Sequence, residues 1–155
     1  MNLRTVLPVA LALSALSLPA LAQQHPLAPA PSHWKLNASA SDFGGMPPYT
    51  ASSTTLTSNT ETNLRWRHSN TDSKGTTSGS WIGAYDGKLR PVTGIKGEKF
   101  SIQRDGTFHI DEADGTTIDG TIITADDLKT YTEDATVKTK DGQEHHIKLV
   151  YDRVK

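Results

Sequence analysis

The chain contains no cysteine among its 155 residues. This absence excludes disulfide bonds, zinc sites built on thiolates, a thiol nucleophile and a lipid-modified N-terminal cysteine. Stability must therefore come from a packed core and from hydrogen bonds between strands.

Neither sign of charge is in excess. The chain has 16 Lys and Arg against 17 Asp and Glu, and Arg4 is the only charged residue in the first 22 positions. The remainder carries a net charge of −2 and contains no run of like charges. Such a chain has no long-range attraction to nucleic acid or to anionic lipid, so we expect neither as a partner.

Motifs for nucleotide binding and nucleophilic catalysis are missing as well. The sequence has no phosphate-binding loop, no dinucleotide fingerprint and no G-x-S-x-G elbow. Adjacent carboxylates such as Asp126 and Asp127 lie in turn-rich segments, where Asp is explained by hydrogen bonds to the backbone. We therefore expect no catalytic residues and no cofactor, and interpret the chain as a protein that is not an enzyme.

One long apolar run is present, at the N-terminus. Arg4 precedes an almost wholly apolar stretch over residues 6–22, which contains two prolines and ends in Ala20-Leu21-Ala22. A positive start, a short apolar region and small residues at positions −3 and −1 are typical of a secretory signal peptide. A membrane-spanning helix needs about 20 apolar residues. We expect cleavage after Ala22 and a periplasmic or secreted mature protein with no transmembrane anchor.

The mature chain divides into a short leader and one domain. Residues 23–32 (QQHPLAPAPS) contain three prolines and no apolar periodicity, which predicts a flexible leader prone to polyproline II structure. Residues 33–155 have the length of a single domain.

Threonine-rich segments with period-two alternation predict strands throughout this domain. Nineteen threonines lie between residues 50 and 139, and Asp-Gly pairs recur at 86–87, 105–106, 114–115, 119–120 and 141–142. Thr favours strands, and Asp-Gly favours two-residue hairpin loops in which both residues have positive φ. Gly120 is a candidate for a β-bulge. We predict an all-β fold, a single antiparallel up-and-down β-barrel of eight or more strands, because closure removes exposed sheet edges.

Five aromatic residues occupy strand positions that fit one inner face of such a barrel. Aromatic rings with a polar tip are suited to line ligand cavities, and an eight-stranded barrel holds either packed side chains or one small ligand. We predict a pocket for a small apolar or amphipathic ligand lined by Trp66, Trp81, Tyr85, Tyr131 and Tyr151.

Two interpretations remain open for the role of these aromatic residues, and two for the role of Trp34. In the alternative interpretation the rings simply fill the barrel, and the protein acts through its surface as an envelope interaction module or an inhibitor. Trp34 is predicted either to plug one end of the barrel or to be a core residue of the first strand.

Metal binding is a weaker hypothesis. His68, His109 and His145 would form a site only if the fold brought them together, and otherwise they are surface or core-edge residues. His145 and His146 are adjacent on a strand and must point to opposite faces. The segment 111–115 (DEADG) has only a faint similarity to a calcium loop. We therefore expect no metal site.

Three sequence elements resemble a family of small exported bacterial lipocalin-like proteins. The segment 34–43 resembles the W-K-L-N-x-x-x-S-x-F opening of that family, 85–94 resembles its Y-D-G-K-x-x-P-V-x-G element, and 150–153 resembles its V-Y-D/E-K/R ending. The resemblance spans residues 33–155. It implies an antiparallel barrel of eight or more strands, and it implies no established activity and no catalytic residues.

Overall fold

The computed structural model describes residues 27–155, so the predicted signal peptide and the first residues of the leader lie outside the described residues. The described chain forms one ten-stranded antiparallel sheet with a short 3-10 turn at Ala38–Ala40. No helix in this part of the chain is long and apolar enough to cross a membrane. The strands are β1 (Ser32–Leu36), β2 (Ala51–Asn59), β3 (Asn63–Asp72), β4 (Gly75–Ala84), β5 (Arg90–Pro91), β6 (Lys99–Ile102), β7 (Thr107–Asp111), β8 (Thr117–Thr124), β9 (Thr130–Lys138) and β10 (Glu144–Val154).

The strand order closes the sheet into a barrel. β1 lies between β2 and β10, and the order around the sheet is β4-β3-β2-β1-β10-β9-β8-β7-β6-β5. The two edges of the sheet meet where Ser80 of β4 and Thr93, which follows β5, exchange backbone hydrogen bonds of 2.9 and 2.8 Å. The prediction of an all-β, up-and-down antiparallel barrel is confirmed, and the barrel is nearly closed.

Period-two alternation decides which side chains enter the interior. On β3, Leu64 and Trp66 are buried, whereas Arg65 and Arg67 are exposed. The same alternation along the other long strands gives one continuous core of apolar residues. The arginines therefore belong to the solvated outer face.

Three Asp-Gly pairs form hairpin turns, but of a different type from the one predicted. At 105–106, 114–115 and 141–142 the glycine alone has a positive φ, of 88°, 94° and 85°. Its N–H donates to the carbonyl three residues earlier, as Gly106 does to Gln103 over 3.1 Å. This geometry is a type I turn followed by a left-handed residue. The expectation of positive φ at both residues is wrong because the Asp accepts a backbone hydrogen bond instead, as Asp114 does from Thr116 over 2.8 Å.

A further pair, Asp119-Gly120, lies inside β8. The register between β8 and β9 runs without interruption, so the predicted bulge at Gly120 is wrong; the irregularity lies in β2, between Leu56 and Ser58. Any side chain at position 120 would place its Cβ 2.5 Å from the Ala135 Cβ and 2.9 Å from the Phe108 Cζ. Glycine is required here because neighbouring strands pack closely.

The described part of the predicted leader belongs to the barrel. Leu27 and Ala28 are only 5% and 1% exposed, and Ser32 already begins β1. The domain therefore begins before residue 33. Burial of apolar side chains outweighs the preference of this Pro-rich segment for an extended, solvated chain.

Candidate ligand-binding cavity

The barrel interior contains a cavity of about 130 Å³. An apolar cavity of about 150 Å³ is large enough to bind benzene in another protein, so this one has room for a single small ring. Its wall consists of Leu27, Tyr49, Thr54, Leu56, Leu64, Trp66, His68, Asn70, Glu98, Phe100, Phe108, Ile110, Glu112, Ile118, Ile122, Tyr131, Glu133, Ala135, Ile147, Leu149 and Tyr151.

Aromatic contacts hold the apolar part of this wall. Trp66 meets Phe100 edge to face, with 5.3 Å between ring centroids, and Phe100 stacks against Phe108 at 6.1 Å. Such pairs add about 1 kcal/mol each beyond the area they bury. These rings come from β3, β6 and β7 and form part of the cavity wall.

Polar residues gather toward one end of the barrel. Tyr49, His68, Asn70, Glu98 and Glu112 line both the cavity and a wider recess of about 610 Å³. The recess is surrounded by the loop before β2 and by the β3–β4, β7–β8 and β9–β10 turns, which all lie at this end. We call it the open end.

Three carboxyl groups in the wall have raised pKa values. Burial raises the pKa of Glu133 to about 7, against an opposing hydrogen bond from Tyr131. Burial, and then the charge of Glu112, raise the pKa of Glu98 to about 7. The pKa of Glu112 is itself raised by burial and by Asp114. Glu98 and Glu133 therefore titrate near neutral pH.

His68 brings a polar atom without a partner to the same wall. Its ring stacks on Trp66, with 5.0 Å between centroids. Its Nε2 is buried and has no hydrogen-bond partner among the described residues. Because burial lowers the pKa of this imidazole, the ring is neutral at pH 7.

Two stacked tyrosines are fixed beside these groups. Tyr131 and Tyr151 lie 4.6 Å apart at 11°. The Tyr151 hydroxyl is 3.1 Å from the Ser52 Oγ, which donates to the Asn70 Oδ1 over 2.6 Å. Burial raises the pKa of both tyrosines well above the usual range, so both remain neutral hydrogen-bonding groups.

The structure places three of the five predicted pocket residues in the cavity wall: Trp66, Tyr131 and Tyr151. Trp81 and Tyr85 lie elsewhere. Trp81 points inward as predicted, but it packs against Trp66 and Phe100 and covers Gly83, whose Cβ would lie 2.4 Å from the indole. It fills the junction between β4 and β6 rather than lining free space.

Tyr85 lies at the opposite, closed end of the barrel. Its hydroxyl donates to the Asn59 Oδ1, and Arg104 lies over its ring at 4.9 Å. Trp34 is also a structural residue: it is 0% exposed and meets Tyr131 edge to face at 5.1 Å. Of its two predicted roles, the structure supports that of a core residue.

The three histidines of the metal hypothesis are not brought together. His68 lies in the cavity wall, His109 binds Asp111 and Asp119 at 2.9 and 2.6 Å on the barrel surface, and the His145 Nδ1 lies 3.0 Å from the Gly44 carbonyl oxygen. Within residues 27–155 no group of three or more His, Cys, Asp or Glu side chains has the geometry to hold a metal ion.

Sequence reasoning missed the carboxyl groups of the wall. A signal was present, since Glu133 has the same strand parity as Tyr131 and Ala135, and Glu112 the same parity as Phe108 and Ile110. An acidic residue at an inward position is unusual because burial of an unpaired charge is costly, and this mismatch marks a candidate site.

Comparison with protein-family models found no match, and comparison with curated proteins found none either. Among solved structures, a de novo designed fluorescence-activating β-barrel is similar to this chain. The similarity covers 84% of this chain and 96% of the design, with a TM-score of 0.42 and 15% sequence identity.

Proposed function

We propose that this protein binds a small amphipathic molecule inside the barrel, with its apolar part in the cavity and its polar part toward the open end. The observation that supports this proposal is the cavity itself. Its wall is largely apolar and aromatic, and five of its polar residues also line the recess at the open end. This combination is typical of small-molecule sites.

A filled barrel that acts only through its surface is less well supported. Unfilled core space costs about 24 cal/mol per Å³ in destabilised variants of other proteins. For a cavity of about 130 Å³ this corresponds to about 3 kcal/mol. Occupation by a ligand recovers contacts that the empty wall lacks.

The location of the protein is part of the same proposal. We propose that it acts outside the cytoplasm, because residues 1–22 have the three-part pattern of a secretory signal peptide. N-terminal sequencing of the protein recovered from a periplasmic or extracellular fraction should begin at Gln23. Recovery of the intact chain in the cytoplasmic fraction would contradict this location and would leave the cavity argument untouched.

Native mass spectrometry tests the binding function directly. Protein purified from its own envelope should carry a co-purified small molecule, with a mass increment that disappears on unfolding. Trp66 forms part of the cavity wall, so removal and return of the ligand should also change the tryptophan emission.

A matched pair of variants separates cavity binding from surface binding. Ile118 lines the cavity, whereas Ile123 on the same strand is 47% exposed. Ile118→Trp should fill the cavity and abolish the mass increment, and Ile123→Trp should keep it. Circular dichroism checks that both variants remain folded. Retention of the increment in folded Ile118→Trp would exclude the cavity as the site.

A further inference from the structure

We infer that the bound molecule is a small aromatic amine, with its ring in the cavity and its ammonium group among the polar side chains of the wall. This inference rests on the proposed function and names the ligand class. The ring follows from the size of the cavity, which is close to that of a site known to hold benzene, and from the aromatic side chains around it.

The cationic head follows from the charges of the wall. The carboxyl groups of Glu98, Glu112 and Glu133 belong to the wall, and its residues include no Lys or Arg. Buried charges in proteins are normally paired. An ammonium group would supply the countercharge that the protein does not provide.

A second observation independently indicates a missing hydrogen-bond partner. The buried Nε2 of His68 has no partner among the described residues, and a neutral imidazole can present the lone pair of this nitrogen as an acceptor. An unsatisfied buried polar atom costs about 1–3 kcal/mol. An ammonium group carries three donors, so it can donate hydrogen bonds to a carboxylate and to this imidazole at the same time.

An anionic ligand fits the same wall poorly. Lys74 and Lys96 occur at the open end, but Asp72 and Asp114 line the same recess, so the recess offers no net positive charge to offset the three carboxylates. A carboxylate head would meet like charges in a site partly withdrawn from water, which is unfavourable.

Three probes with the same ring and different heads test the inference: 2-phenylethylamine, 2-phenylethanol and 3-phenylpropanoate. Affinities are measured by calorimetry on the delipidated full-length mature protein at pH 8. We expect the amine to bind at least tenfold more tightly than the alcohol, and the carboxylate to bind most weakly. Glu133→Gln should reduce amine affinity at least tenfold and leave alcohol affinity within about twofold. The control is Glu144→Gln, which should change neither affinity, because Glu144 is exposed and pairs with Lys138 at 3.7 Å.

Different results would overturn the cationic ligand class and the proposed binding function. Equal affinities for amine and alcohol, or an unchanged amine affinity in Glu133→Gln, would overturn the cationic ligand while ring binding in the cavity stands. If none of the probes binds and the envelope protein carries no small molecule, both the ligand class and the binding function are overturned.

Discussion

The Tyr85 hydroxyl donates a 2.6 Å hydrogen bond to the side-chain carbonyl of Asn59. The amide of Asn59 in turn donates to the carbonyl oxygens of Leu27 and Ala28, each at 3.2 Å. Tyr85 thereby orients the Asn59 side chain, which holds residues 27–28 at the closed end of the barrel. Leu27 also lines the cavity, so this contact forms the floor of the candidate site.

Removal of these hydrogen bonds should destabilise the protein more when more of them are lost. Tyr85→Phe removes one hydrogen bond and should lower the free energy of unfolding by about 1 kcal/mol, whereas Asn59→Ala removes three and should lower it by about 2 kcal/mol. Urea unfolding measures both. Asn63→Ala, at an exposed position at the same end, is the control and should stay within about 0.5 kcal/mol of the parent. Equal effects for Asn59→Ala and Asn63→Ala would disprove the anchoring role.

Leu128 should be replaceable by glycine with a gain in stability. It has a φ of 56°, the only positive φ of a residue other than glycine among residues 27–155. Its N–H donates to the carbonyl of Ala125 over 2.9 Å, as Gly106 donates to Gln103 in a related turn. The left-handed conformation costs an L-residue about 1 kcal/mol, so Leu128→Gly should raise the free energy of unfolding by up to that amount.

A second leucine provides the comparison for this variant. Leu89 is similarly exposed and has no positive φ, so Leu89→Gly should lower the stability through the greater entropy of the unfolded chain. Thermal unfolding of the two variants should therefore shift in opposite directions. A downward shift for both would show that Leu128 is not strained.

Any side chain at position 120 should disturb the packing of β8 against β9. The new Cβ of Gly120→Ala would lie 2.7 Å from the Asp134 carbonyl oxygen and 2.5 Å from the Ala135 Cβ. Overpacking of this kind costs about 1–3 kcal/mol. The double variant with Ala135→Gly should recover part of the loss, because it removes one of the contacts. Strictly additive effects in a double-mutant cycle would mean that the two residues do not interact.

Glu133 should make the ligand-free protein less stable as the pH rises. Its pKa is raised from 4.5 to about 7 in the folded state, so folding favours the protonated carboxyl group. The stability that depends on this proton is complete below pH 4.5 and is lost as the pH rises through 7. Glu133→Gln should therefore stabilise the protein at pH 8 by about 3 kcal/mol, since each pKa unit between 4.5 and about 7 is worth about 1.4 kcal/mol. At pH 4.5 the effect should be small.

Urea unfolding at pH 4.5 and pH 8 measures this difference. The same experiment on Glu144→Gln controls for a general change in net charge, because that carboxyl is exposed. The groups whose titration is coupled to Glu133 are Tyr49, Tyr131 and Tyr151, and all three keep their protons below pH 8. A Glu133→Gln variant with equal gains at both pH values would contradict the raised pKa.

Local pattern was sufficient to predict the barrel. Period-two alternation and regularly spaced glycines depend only on neighbours along the chain, and they indicated strands and turns throughout residues 33–155. Alternation also predicted correctly that Trp66, Tyr131 and Tyr151 point inward. The prediction of a β-bulge at Gly120 was wrong because this glycine packs closely against Ala135 on the neighbouring strand, a contact that no local pattern encodes.

The sequence by itself thus determined the fold class and the inward or outward direction of most side chains, because both follow from the repeat of the strand. Only the tertiary structure decided where the interior is full and where it is empty. Trp81 fills the space above Gly83, while the space beside Trp66 remains open. That difference arises from strand register and barrel closure, which bring together residues far apart in the chain, and the same closure gathers Glu98, Glu112 and Glu133 into one wall.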